Sequence, residues 1–116
     1  MDKLELRTFI NSVNVLSKLA RQDLPLRLAY KLRKIIEAVN KELEFFSEQR
    51  NKLMEGIEWE NATLEEKNLA NEKIEKLLAF EVEWETEPLV LPIDIEINLS
   101  ASDLELAKEF IQIKEE

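Results

Sequence analysis

From Pro25 to Ile57 the apolar residues recur at steps of three and four. Leu28, Leu32, Ile35, Ile36, Val39, Leu43, Phe46, Leu53 and Ile57 mark the apolar stripe of one long amphipathic helix. Pro25 suits its first turn, where a missing N–H costs no intrahelical bond. Gly56, the only glycine in the chain, is the natural stop. A helix of some thirty residues spans roughly 45 Å. A compact domain of this size has a radius of gyration of about 13 Å, hence a diameter of roughly 35 Å. The helix outreaches such a globule. The pattern therefore predicts an elongated molecule, or a partner copy over the far end.

The flanking segments follow the same two periods. Residues 3–6 alternate, as a short strand or a lead-in to a helix. Leu6, Phe9, Ile10, Val13, Leu16, Leu19 and Ala20 then mark one face of a first helix ending near Arg21. Asp23-Leu24-Pro25 makes a tight connection, because the residue before proline leaves the α region. So short a link folds the first helix back on the long one. After Gly56, a polar loop with Trp59 leads to Thr63-Leu64-Glu65-Glu66, a capping-box pattern. Leu64, Ala70, Ile74, Leu77 and Leu78 give a third helix a narrow core face.

At Phe80 the period drops to two. Phe80, Val82 and Trp84 alternate with Glu81, Glu83 and Glu85, as in a half-buried strand. Pro88 and Pro92 interrupt, and Ile93, Ile95, Ile97 and Leu99 read as a second strand. Two strands alone are marginal, so they should pack on a helix or recruit the Leu4/Leu6 segment. Ser100 or Ser102 then caps a final helix through Phe110 and Ile111. The expected fold is a mostly helical α+β domain over residues 1–116. It comprises an antiparallel helical hairpin with a long central helix, a third helix, a small antiparallel β element and a short C-terminal helix.

Composition narrows the chemistry. The chain has no cysteine and no histidine, which removes disulfides, thiolate nucleophiles and the commonest general base and zinc ligand. One glycine cannot build a phosphate-binding loop. No apolar run approaches the ~20 residues of a membrane span. The reading is a cytoplasmic, non-enzymatic protein with no cofactor, no metal and no membrane. Asp94, Glu96, Asn98, Ser100, Ser102 and Glu105 match the spacing of a calcium loop, but Leu99 stands where its turn needs glycine. Strand and helix cap explain that spacing better. Asn61-Ala62-Thr63 and Asn98-Leu99-Ser100 match the glycosylation sequon, yet both read as helix starts.

The net charge of −9 is unevenly spread. Residues 1–41 hold nine Lys/Arg and four Asp/Glu, a balance of +5; residues 42–116 hold seven and twenty-one, a balance of −14. Arg27, Lys31, Lys34 and Lys41 share one face of the long helix, with Tyr30 and Arg33 beside it. This candidate basic patch suits internal pairing or an acidic partner. A nucleic-acid-associated regulator is the alternative, opposed by the overall acidity and the lack of stacking aromatics. Phe45, Leu53, Met54, Ile57 and Trp59 crowd the far end of the long helix and form a candidate oligomer interface. The favoured function is a protein-interaction, assembly or accessory role, with the chain itself as first partner, in a homodimer or higher oligomer, and another protein as second.

Leu24-Pro25, Ala29-Tyr30-Lys31-Leu32, Phe46 and Arg50-Asn51-Lys52-Leu53 resemble the front half of a group of small uncharacterised proteins. These are encoded by tailed bacteriophages and prophages of Gram-positive bacteria. Leu77-Leu78, Glu81-Val82-Glu83, Pro88, Leu99-Ser100, Asp103-Leu104 and Phe110-Ile111 resemble its back half. The resemblance covers most of the chain, on core and cap positions. It implies a phage context and, since the group has no established activity, no catalytic residue.

Overall fold

The computed structural model describes residues 2–115. The chain opens as strand β1 (Asp2–Glu5) and passes directly into helix α1 (Leu6–Ala20). A helix start leaves N–H groups without internal partners. The N–H of Leu6 donates to the carbonyl of Phe80 at 2.9 Å. Leu6, Phe9, Ser12, Val15, Leu16 and Leu19 are buried, and the Ser12 hydroxyl donates to the Phe9 carbonyl at 2.9 Å. The buried face is rotated from the one expected: Ile10 and Val13 are half-buried and Ala20 is exposed. α1 is covered from two sides, by the long helix and by a later short one, which draws in Ser12 and Val15.

The long helix, α2 (Leu26–Met54), packs on α1 and buries Leu28, Leu32, Ile35 and Val39, all in its first half. Glu55, in extended conformation, caps its end and is followed by Gly56 at φ +80°, a left-handed conformation that suits glycine. A 3-10 turn (Trp59–Asn61) leads to α3 (Leu64–Leu78), where the Thr63 hydroxyl accepts from the Glu66 N–H. α3 lies along α2 and buries only Ala70. Leu64, expected on its core face, is 74% exposed.

Strand β2 (Glu81–Trp84) pairs antiparallel with β1, Leu4 opposite Val82. The N-terminal segment is thus its partner, and the expected pairing with residues 93–99 does not form. Strand β3 (Leu89–Pro92) instead pairs in parallel with β4 (Ile111–Lys114), Leu89 opposite Ile111. Parallel strands need a long crossover, and residues 93–110 supply it, including the short helix α4 (Ala101–Leu106). α4 starts at a full capping box of Ser100 and Asp103. The expected final helix therefore stops five residues before Ile111, which opens a strand. Leu104, Ala107, Phe110 and Ile111 keep a helical spacing, but the carbonyl of Ala107 accepts from both Phe110 and Ile111 and turns the chain.

The core gathers around an aromatic cluster of Phe9, Trp84 and Phe110. Ring centroids lie 5.2 Å apart for Phe9–Trp84, 5.3 Å for Trp84–Phe110 and 5.6 Å for Phe9–Phe110. α1, the first half of α2 and β3 close around it. The molecule measures 55 × 28 × 21 Å with a radius of gyration of 17.1 Å, against about 13 Å for a compact domain of this length. The elongation expected from the long helix is present.

Candidate interaction surfaces

Beyond Val39 α2 has no fully buried residue, and the molecule thins to an arm of two helices. Leu43, Phe46, Leu53, Met54 and Ile57 are half-buried, while Phe45 and Trp59 are exposed. Two helices in contact shield only their facing stripes. The rest of each apolar surface stays in water. Leu53, Met54, Ile57 and Trp59 gather at the tip, where the Lys67 ammonium sits 5.5 Å from the Trp59 ring. Phe45 lies roughly 12 Å nearer the root along the helix axis. Its ring meets that of Phe80 at 5.9 Å. The five candidate interface residues thus form two patches on one arm. Three residues missed in sequence extend them: Phe80 at 51% exposure, Leu69 at 52% and Leu64. Leu69 lies off the stripe of Ala70, Ile74 and Leu77, and that displacement was its readable signal.

The basic residues sit toward the other end. Arg27, Leu28 and Lys31 line a cleft of about 600 Å³ with Val90, Pro92, Ile93, Asp94 and Lys114. Lys31, Lys34 and Ile35 line a second cleft of about 290 Å³ with Thr86, Glu87 and Pro88. The two share Lys31 and continue one another along α2. Lys41 lines neither and lies two turns further on. Lys114 joins from β4, a strand that sequence reasoning missed. Among the described residues, Arg27, Lys31, Lys34 and Lys41 have no carboxylate within 4.0 Å. Lys34 and Arg33 lie over the Tyr30 ring at 4.8 and 5.5 Å.

Two other cations of the first third are tied to acids from distant parts of the chain. Lys18 Nζ lies 2.8 Å from Asp103 Oδ2, and its hydrogen bond, together with the N–H of Ser100, holds the Asp103 carboxyl below its ordinary range. Arg7 Nη2 donates to Glu75 Oε2 at 3.0 Å, which raises the guanidinium's pKa. Its Nε lies 2.9 Å from Glu5 Oε1, but the N–H is not aimed at that oxygen, so the bond to Glu75 is the firmer tie.

Among the described residues no three His, Cys, Asp or Glu side chains converge to hold a metal ion. The calcium-loop spacing is divided between a turn at Asp94, an extended segment and α4. Among the described residues no helix is long and apolar enough to cross a membrane. Comparison with known protein families, with characterised proteins and with solved structures gives no match for this chain. The geometry alone defines the class: an elongated α+β protein with a helical arm at one end and a basic groove toward the other.

Proposed function

We propose that this protein is a non-enzymatic assembly or accessory protein that works as a homo-oligomer in the cytoplasm, through the arm formed by α3 and the far half of α2. One observation carries the reading: the arm is two helices thick and leaves Phe45, Trp59, Leu64, Leu69 and Phe80 in water. Exposed apolar patches of several hundred Å² are uncommon on monomers and mark contact sites. Burying one large apolar side chain contributes about 1.5–3 kcal/mol. Association itself costs about 4–15 kcal/mol, so several such residues must be covered together. Two arms packed side by side make a four-helix arrangement that covers them. A closed two-fold pair is the simplest self-complementary form. The resemblance to small phage-encoded proteins fits an assembly role.

Light scattering across a tenfold dilution series tests the reading. The expected mass is a multiple of 13.6 kDa that falls on dilution. Phe45→Lys and Met54→Lys should shift it toward the single-chain value. A mass of 13.6 kDa at every concentration, with both substitutions leaving solubility and stability unchanged, contradicts it.

A further inference from the structure

We propose that the groove between the first turns of α2 and residues 86–94 binds an extended acidic segment of a partner protein, with aliphatic side chains between its carboxylates. The surface lies outside the self-associating arm and is independent of it.

Charge is the first argument. The chain carries 25 Asp/Glu against 16 Lys/Arg, and an excess of acids gives each cation many chances to pair. Among the described residues only Arg7, Lys18, Arg33 and Lys108 pair with acids. What sets Arg27, Lys31 and Lys34 apart from the other unpaired cations is their grouping: at i, i+4 and i+7 they stand one above the other on α2, where like charges repel. Lys114 faces them across the larger cleft. Asp94 and Glu87, one in each cleft, offset only part of that charge. The N-terminal end of a 29-residue helix adds positive potential in its first turn. An anionic ligand relieves this repulsion.

The floor of the groove excludes a simple ion. Leu28, Ile35, Val90, Pro92 and Ile93 line it, and Val90 and Ile93 are exposed without a partner. Clefts of about 600 and 290 Å³ are of a size that takes organic ligands or several side chains. An occupant must carry negative charge and apolar bulk together.

The strand edge decides how it docks. The N–H groups of Leu89 and Ile93 point to β4, donating to Phe110 and Lys114. The outward edge of β3 therefore belongs to Val90, between Pro88 and Pro92, which have no N–H to offer. A chain adding as a new strand finds one donor. Recognition falls to side chains: carboxylates on Arg27, Lys31, Lys34 and Lys114, aliphatic groups on Val90 and Ile93. Nucleic acid fits less well, because the floor is aliphatic and neither cleft offers an aromatic ring on which a base could stack.

The test is fluorescence anisotropy of the full chain with a labelled peptide of alternating Glu and Leu, long enough to span both clefts. A Gln–Leu peptide and a single-stranded oligonucleotide run in parallel. The Glu–Leu peptide should bind saturably, more weakly as salt rises. The double substitution Arg27→Glu, Lys31→Glu should weaken it about tenfold or more. Val90→Asn should also weaken it, because it removes an apolar contact from the floor without changing the charge. Lys52→Glu and Lys73→Glu, on the arm, should not. All five positions are exposed, so thermal melting should confirm an intact fold, and light scattering should report an unchanged assembly for the groove variants. No saturable peptide binding, equal binding of the Gln–Leu peptide, or insensitivity to the groove substitutions overturns the proposal. Tighter binding of the oligonucleotide would reassign the groove to nucleic acid.

Discussion

The side-chain amide of Gln22 closes a two-bond ring with the backbone of Asn98. Its Nε2 donates to the Asn98 carbonyl at 3.2 Å, and its Oε1 accepts from the Asn98 N–H at 2.8 Å. Gln22 lies in the α1–α2 connection, and Asn98 lies in the extended segment that no strand accompanies. One side chain thus does for residues 95–100 what a neighbouring strand does elsewhere. Gln22→Ala should cost about 1 kcal/mol and speed amide exchange at Asn98. Unchanged exchange at that amide would show that the clamp holds nothing.

The core belongs to the first half of α2. Val39 is 1% exposed, so Val39→Asp places an uncompensated charge in the interior, at a cost of about 3–5 kcal/mol. Ile74 lies half-buried on the arm, and Ile74→Asp should cost about 1 kcal/mol. Denaturant titration of both variants checks the gradient. Equal losses would mean that the arm packs Ile74 as tightly as the core packs Val39.

Trp84 brings a second contrast. Among the described residues its indole N–H is buried without a partner, between Phe9 and Phe110. Trp84→Phe removes that unpaired donor and leaves a small void, so the two effects oppose and the net change should stay within about 1 kcal/mol. Trp84→Ala loses the aromatic contacts as well and should cost about 3–5 kcal/mol. A large loss in the Phe variant would reveal a bonded indole.

The Lys18–Asp103 pair ties α1 to the start of α4. Asp103 has a lowered pKa in the folded chain, so its contribution is fully present above the ordinary aspartate value of about 3.9. It is lost as pH falls through the lower folded value. Asp103→Asn should therefore flatten the acid limb of the stability curve and leave its slope near neutral pH unaltered. Ser100→Ala removes the other half of the cap and should cost about 1 kcal/mol at neutral pH. An acid limb unaffected by Asp103→Asn would show that the pair contributes nothing.

Much of this fold is legible in the sequence where one period dominates. The stripe from Leu28 to Val39, the stop at Gly56 and the caps at Thr63 and Ser100 are local signals, and the chain obeys them. Partner choice is not local. The alternation of Ile95, Ile97 and Leu99 with polar residues is visible in their half-burial, yet their backbone bonds go to a turn and to Gln22. Ile111 and Ile113 alternate over only four strand residues, and the helical spacing from Leu104 to Ile111 hides them. β4 therefore escaped, and Lys114 with it. The arm residues were half legible: the crowding from Phe45 to Trp59 is plain in the chain, but Leu69 and Phe80 join only once α3 lies against α2.

The central claim is self-association through the arm, and the absence of cysteine makes it directly measurable. Single thiols at Leu69→Cys and Trp59→Cys on the arm, and at Lys108→Cys near α4, are treated with a short bismaleimide at several protein concentrations. The account predicts covalent dimers from at least one arm variant, in yields that fall on dilution and with Phe45→Lys, and none above background from Lys108→Cys. Equal yields at all three positions, or none from either arm variant, would contradict it.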